Sequence, residues 1–237
     1  MTGAVNVLVV IQARSGSKRL PGKSLSLIED KTMVGHVLSA AQCAARFISN
    51  SRGGVPLHAS VVLAVPYGDP LLKEFEGQII IEGDEADVLS RYETAFKMFY
   101  PDYVVRVTGD CPLILPTIIS KAVFSAINGE LDYCSNAYED VRTFIDGFDV
   151  EVISKRAMQW LIENAISEGD KEHVTPHIRK RPPSWAKFGV LMAHVDLSHV
   201  KLSVDTSEDL ESVRKLKRSL FEKISLARER GYAVYRF

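Results

Sequence analysis

A nearly unbroken apolar run rich in β-branched side chains, Val5–Ile11 (VNVLVVI), stands close to the start of this 237-residue chain. Such a run is the pattern of a strand buried on both faces, the kind from which parallel sheets are built. It is far too short to span a bilayer, which takes about 20 apolar residues. Ser60–Val65, Gln78–Ile81 and Tyr103–Val107 read in the same way. Between them, Met33–Ile48 and Val88–Phe99 repeat apolar residues at the i, i+3, i+4 spacing of amphipathic helices. Pro116 suits the first turn of a further helix, and Asn128-Gly129 suits its end. Strand and helix in alternation predict an α/β fold, a Rossmann-like, mostly parallel sheet covered by helices on both faces. Sheets of that kind bind ligands beyond the carboxyl ends of their strands, where the strand order reverses.

After Gly129 the pattern changes. Asp132–Ile153 is rich in Asp and aromatic residues, with an extended stretch at Phe148–Ile153. A helix is expected over Lys155–Ser167, capped by Ser154 and stopped by Gly169, followed by a strand candidate at Lys187–Val195. Thr206–Asp209 has the capping-box form and opens a long helix through Arg228, with Leu210, Val213, Leu216, Leu220 and Ile224 in one stripe. No repeat or linker divides the chain. Residues 1–237 are expected to form one domain with a small inserted subregion at about 132–186.

Charge excludes one class of partner. Lys and Arg number 29 against 30 Asp and Glu, a net charge of −1, so no general footprint for nucleic acid exists and phosphate recognition has to be local. The three cysteines, Cys43, Cys111 and Cys134, are odd in number and widely spaced, which points away from a disulfide framework and toward the reducing cytoplasm. No stretch is long enough to cross a membrane, and no membrane partner is expected.

Three constellations carry chemistry. Directly after the first strand, Ile11–Lys23 (IQARSGSKRLPGK) places Arg14, Lys18, Arg19 and Lys23 in one short loop with Gly16 and Gly22. Cations and backbone amides together are what a polyphosphate needs. GxGxxG is absent, and the Walker A spacing fails because Ser17 stands where its first glycine would be. After Tyr103–Val107 comes Thr108-Gly-Asp-Cys-Pro112, with Asp110 at a strand's carboxyl end and Gly109 leaving room for a ligand. The third is Leu202-Ser-Val-Asp205, just before a helix start. Two aspartates converging near a triphosphate can share Mg²⁺, which prefers carboxylate, phosphate and water oxygens. His173 and His177 invite a zinc reading, but HVTPH lacks the HExxH glutamate and Pro176 interrupts a helix.

The loop IQARSGSKRLPGKSL resembles the nucleotide-binding signature of the CMP-sugar synthetase superfamily, which includes CMP-Kdo and CMP-sialic acid synthetases. EGDEADVLSRY, VVRVTGDCPLI, DYCSN, DGFDVEV, DKEHVTP and LSVDTSEDLE resemble, in that order, its spore-coat polysaccharide branch, so the likeness covers nearly the whole chain. It implies a fold of the nucleotide-diphospho-sugar transferase type and a cytidylyltransferase that couples CMP from CTP to a sugar-type acceptor, a sugar acid or sugar phosphate. It also implies Mg²⁺ as cofactor and a homodimer. Matched position by position, Arg14, Ser17, Arg19 and Lys23 fall on the phosphate loop, and Asp110 and Asp205 on the metal pair. Asp87 and Arg91 fall on the segment lining the nucleotide and acceptor cleft. Asn136, Arg142, Asp146, Asp149, Glu151 and His173 lie where relatives bind the sugar and form their dimer. The chain carries Thr108 where CMP-Kdo synthetases carry Gln. Base reading is therefore expected from backbone groups near Ile11–Ala13 and Ala64–Pro66, with Ala13 and Pro66 as substrate contacts. The alternatives are a nucleotide-sugar glycosyltransferase, against which stands the single aspartate of Gly109-Asp110-Cys111 in place of a DxD motif, and a catalytically silent nucleotide-binding protein.

Overall fold

The computed structural model describes residues 3–52 and 54–229. Strand β1 (Val5–Gln12) leads through a 3₁₀ turn at Lys23–Leu25 into a short hairpin, β2 (Leu27–Ile28) and β3 (Lys31–Thr32), and then into helix α1 (Met33–Ser49). The alternation continues through β4 (Leu57–Pro66), the one-turn α2 (Leu71–Glu74), β5 (Ile80–Gly83), α3 (Val88–Phe99), β6 (Tyr103–Thr108) and α4 (Pro116–Asn128). The remainder comprises β7 (Tyr133–Ser135), β8 (Glu151–Ser154), α5 (Lys155–Asn164), α6 (Glu168–His173), α7 (Pro176–Lys180), β9 (Phe188–Val190) and α8 (Ser207–Glu229).

Seven strands form one sheet in the order β5-β4-β1-β6-β8-β7-β9. β8 is antiparallel to both of its neighbours, and the other pairings are parallel. This is an α/β, Rossmann-like, mostly parallel sheet. From β1 the chain moves outward to β4 and β5, then crosses back to β6 on the other side of β1. The reversal therefore lies between β1 and β6, whose carboxyl ends pair Gln12 with Thr108. Polar groups following these two strands open into the crevice that such a reversal creates.

The β1 run is apolar throughout because both of its faces are covered. Val7, Val9 and Ile11 pack with Val34, Val37 and Ala41 of α1 and Ile119 and Val123 of α4. Leu8 and Val10 face Leu89, Tyr92 and Phe96 of α3 and Met158 and Leu161 of α5. A third cluster joins Ile28 and Met33 to Val204, Leu210 and Val213, docking the start of α8 on the β2–β3 hairpin. The capping box forms: Asp209 N–H donates to Thr206 Oγ1 at 3.3 Å, and Thr206 N–H donates to Asp209 Oδ2 at 3.0 Å.

Several expectations need correction. The α8 stripe is buried only at Leu210 and Val213; Leu216 and Leu220 are 38% and 47% exposed, because the hairpin floor supports only the first turns. The side chain of Ile224 lies outside the described residues. The helix after Ser154 ends at Asn164 rather than Ser167, since Ser167 caps a separate helix by accepting from Asp170 N. Pro176 does not interrupt a helix; it opens α7 at the first-turn position. Of Lys187–Val195 only Phe188–Val190 is strand. The strand expected at Gln78–Ile81 is displaced to Ile80–Gly83.

Candidate active site

The carboxyl ends of β1 and β6 open into a cleft of about 1020 Å³. One wall is the loop after β1. Asp69 anchors it, accepting from both the amide (2.8 Å) and the hydroxyl (2.9 Å) of Ser15. Ser24 Oγ donates to Arg14 O at 2.5 Å, and Gly22 N–H donates to Ser15 O at 3.0 Å. Gly22 sits at φ +71, a left-handed conformation that turns the chain toward Lys23. Amides of Ser15, Ser17, Leu20, Gly22 and Lys23 donate within the loop or to Asp69, so side-chain cations, more than an amide nest, give this wall its positive field.

Lys23 reaches across the cleft. Its Nζ lies 3.3 Å from Asp110 Oδ2 and 3.3 Å from Asp205 Oδ1, and donates to Val204 O at 2.6 Å. Arg19 meets Asp205 Oδ1 at 2.8 Å, and Lys201 meets its Oδ2 at 3.4 Å. Burial disfavours ionised Asp205, but Lys23, Arg19 and Lys201 outweigh burial and hold its pKa below the usual carboxylate range. Val204 N–H donates to Asp110 O at 2.9 Å, tying the two carboxylate-bearing loops together. Gly109 does not leave ligand space as expected: a Cβ there would stand 2.8 Å from Ala13 Cβ and 3.2 Å from Gln12 O. Its missing side chain instead lets the ends of β1 and β6 close on each other.

A second glycine sets the position of the Asp205 loop. Gly147 lies at φ +108, and a Cβ there would come within 2.5 Å of Ser203 N. Backbone bonds run across this contact, from Leu202 N–H (2.6 Å) and Ser203 N–H (3.0 Å) to Asp146 O. Gly147→Ala is therefore expected to destabilise the fold by more than ~2 kcal/mol and to lower kcat by displacing Asp205. Gly68→Ala is the control, with φ +66 but nothing near the added carbon, and should cost less in thermal melts and leave kcat nearly intact.

The far end of the cleft is built from β6, β8 and the α6–α7 corner. Arg106 Nε donates to Gln12 Oε1 at 3.3 Å, and its NH1 is hydrogen-bonded to Glu151. Glu151 also accepts from Tyr133 OH and, at 2.6 Å, from Thr175 Oγ1. Burial works against ionised Glu151, but Arg106 and these two hydroxyls outweigh it and hold its pKa below the usual value. Asp149 is bonded to Arg142, yet burial dominates and pushes its pKa up to about 6. At the corner, Val174 adopts φ +69, ψ −54, a γ-turn closed by Thr175 N–H to His173 O at 2.8 Å. The turn directs both His173 and Thr175 to the cleft.

Of the site residues read from sequence, Ala13, Arg14, Ser17, Arg19, Lys23, Arg91, Asp110, Asp149, Glu151, His173 and Asp205 all line this one cleft. Pro66, Asp87 and Asn136 are not brought into it. Pro66 is buried at the end of β4, its carbonyl accepting from Asp69 N. Asp87 caps α3 through Ser90 N and meets Lys171 at 3.2 Å. Asn136 is buried, its amide clamped between Phe148 O (2.7 Å) and Val150 N (2.8 Å). One carbonyl of the segments expected to read the base is engaged as well: Ala64 O accepts from Ala13 N at 3.1 Å and from Arg91 NH1 at 3.2 Å. Arg91 is 1% exposed and packed under Gly83, where a Cβ would come within 2.5 Å of its Cγ, and its Nε has no hydrogen-bond partner. Sequence reasoning missed Gln12, Asp69, Arg106, Thr175 and Lys180. Arg106 alone carried a visible signal, a charge in the middle of an apolar strand.

Among the described residues no group of three or more His, Cys, Asp or Glu side chains could hold a metal ion. His177 is not a zinc candidate, because its Nδ1 pairs with Asp170 at 3.1 Å and its ring packs on Trp160. Nor is any helix among the described residues long and apolar enough to cross a membrane.

Comparison with known proteins agrees with this geometry. The spore coat polysaccharide biosynthesis protein SpsF of Bacillus subtilis is 25% identical over 216 residues, covering 89% of this chain and 86% of that protein. An 8-amino-3,8-dideoxy-manno-octulosonate cytidylyltransferase of a Shewanella species is 32% identical over 147 residues, 58% of this chain and 55% of the relative. The solved structure of a cytidylyltransferase from Leptospira borgpetersenii superposes with a TM-score of 0.78 at 25% identity, covering 98% of this chain and 100% of that one. A family model described as cytidylyltransferase matches residues 8–229, a span that includes every residue lining the cleft. The chain belongs to the cytidylyltransferase family and is a nucleotidyltransferase.

Proposed function

We propose that this cytidylyltransferase transfers CMP from CTP to a sugar-type acceptor, a sugar acid or a sugar phosphate, with release of pyrophosphate, in the synthesis of bacterial surface polysaccharide. The observation that carries this reading is that one cleft joins three parts. These are the cationic loop of Arg14, Arg19 and Lys23, the Asp110–Asp205 pair, and a polar acceptor end lined by Arg142, Asp149, His173 and Lys180. The names of the Bacillus and Shewanella relatives support the pathway and the sugar-acid class. On this reading residues 1–237 act as one domain, with the acceptor subregion at about 132–186.

The acceptor oxygen attacks the α-phosphorus in line, and the bond to the leaving pyrophosphate breaks. Arg14, Arg19 and Lys23 neutralise charge building on the leaving group, a positioning and electrostatic task rather than a covalent one. Asp110 and Asp205 would hold Mg²⁺. Two carboxylates, with no third His, Cys, Asp or Glu grouped with them among the described residues, suit a cation that completes its shell with phosphate and water oxygens. Bound there, Mg²⁺ would neutralise charge at the α-phosphate and ease deprotonation of an acceptor hydroxyl. Asp149 and Arg142 lie where they would orient the acceptor.

For the base, Arg91 replaces the backbone carbonyls of the sequence reading. Its buried guanidinium offers donors that match the N3 and O2 acceptors of cytosine, whereas uracil presents an N–H at N3. Leaving such a group unpaired costs about 1–3 kcal/mol, so CTP is expected to exceed UTP by roughly tenfold to a hundredfold in kcat/KM. Pyrophosphate release from the four nucleoside triphosphates, each with a panel of sugar acids and sugar phosphates, tests the whole reading. Preference for UTP or GTP would remove the cytidylyl assignment to this site. Sugar transfer from a nucleotide sugar without pyrophosphate release would favour the glycosyltransferase alternative. The reading includes a homodimer, for which Val190 at the end of edge strand β9 and Met192 just after it are exposed apolar residues a second copy would cover. It also includes a cytoplasmic location, in keeping with three unpaired cysteines.

A further inference from the structure

Asp110 and Asp205 already hold a cation, and the cation is Lys23. The ammonium has three N–H donors and three oxygens within 3.3 Å: one from each carboxylate and the carbonyl of Val204 at 2.6 Å. Two carboxylates and a carbonyl form the kind of oxygen cage that suits a metal ion. The Lys23 side chain is only 12% exposed, so solvent screens these contacts weakly. On Asp205 both oxygens are engaged, Oδ1 by Lys23 and Arg19 and Oδ2 by Lys201. A divalent ion entering between the aspartates would meet a positive charge in its place.

Lys23 is also a residue of the phosphate loop, held directly after the left-handed Gly22 on a four-carbon flexible stem. We propose that Lys23 is an internal stand-in for the divalent cation, drawn off the two aspartates by the distal phosphates of the nucleotide, so that metal is admitted only together with a triphosphate. The inference rests on reading Asp110 and Asp205 as the metal pair. In the free enzyme the contact offsets the mutual repulsion of the two carboxylates and keeps the site from filling with metal unproductively. A nucleoside triphosphate supplies the negative charge that replaces both aspartates as the partner of Lys23. A monophosphate has no distal phosphates to do so, and the site then discriminates by phosphate number as well as by base.

The test is a titration of the full chain with Mn²⁺ in the absence of nucleotide, following free Mn²⁺ by electron paramagnetic resonance. Wild-type protein is expected to bind Mn²⁺ weakly, Lys23→Gln at least ~10-fold more tightly, and Lys23→Arg, which keeps the charge, as weakly as wild type. Circular dichroism checks that each variant is folded, and Lys23→Ala is the second neutral variant should Lys23→Gln not fold. Adding Asp110→Asn to the neutral variant should abolish the tightened binding. Equal Mn²⁺ affinity in wild type and both neutral variants would overturn the proposal, and would leave the metal pair standing if Asp110→Asn still abolished turnover. Tight binding that survives Asp110→Asn would overturn the lock and the metal assignment together.

Discussion

Asp110→Asn and Asp205→Asn should each lower kcat by on the order of 10³-fold, the equivalent of ~4 kcal/mol in the barrier, while the protein remains folded. Asn keeps the shape of the side chain and removes the charge that a divalent cation needs. The stability side follows from the ion pairs. Asp205 is held ionised in the folded state by Lys23, Arg19 and Lys201 against the effect of burial. Its pKa is depressed on folding, so its contribution to stability is present above the unfolded carboxylate value near pH 4 and is lost as pH falls through the lower folded value. At neutral pH Asp205→Asn gives up that contribution, ~1–2 kcal/mol for partly exposed pairs, and the melting temperature should drop by only a few degrees. Asp110 makes one ion pair through a more exposed carboxylate, and its substitution should move the melting temperature less. Calorimetric melts beside steady-state turnover at saturating CTP separate the two effects. Near-normal turnover in either variant would take that aspartate out of the reaction centre.

What could be read from the sequence was governed by the range of the interactions involved. β1 was legible because covering both of its faces leaves an apolar run that no solvent-facing strand would carry. The cationic loop, Asp110 and Asp205 were legible because each directly follows a strand or precedes a helix. The convergence of Lys23 on both aspartates was not, since it joins residues 87 and 182 positions apart in the chain. α6 and α7 escaped for another reason: helices this short hold no repeating stripe, and the γ-turn at Val174 places a β-branched residue at φ +69, which no local propensity predicts. Asp87 and Asn136 stand next to the cleft-lining Val88 and Ala137 but are engaged in a helix cap and a backbone clamp, and Pro66 ends a strand. Motif position names the neighbourhood of a site. Which side chain turns into the cleft is decided by what each backbone group beside it still needs.

Glu151 is where that distinction has its largest consequence. The sequence reading placed it among the residues that bind the sugar in relatives, but it is 5% exposed and paired on both oxygens. Glu151→Ala would strand Arg106, whose own side chain is mostly buried, and leave the hydroxyls of Tyr133 and Thr175 without their acceptor. Removing one partner of a buried ion pair costs about 3–5 kcal/mol, and stranded hydroxyls add to it. For a chain of this size the melting temperature is expected to fall by roughly 10 °C or more. The damage should reach both ends of the cleft, because Arg106 also holds Gln12 beside the nucleotide loop and Thr175 belongs to the γ-turn that carries His173. KM for CTP and for the acceptor should therefore rise together. Glu151→Gln keeps the volume and one acceptor oxygen but loses the charge facing Arg106, so it should fall between wild type and Ala in stability. An Ala variant that melts like wild type and loses only acceptor affinity would return Glu151 to the role of a direct sugar contact, and would mean that Arg106 finds another partner.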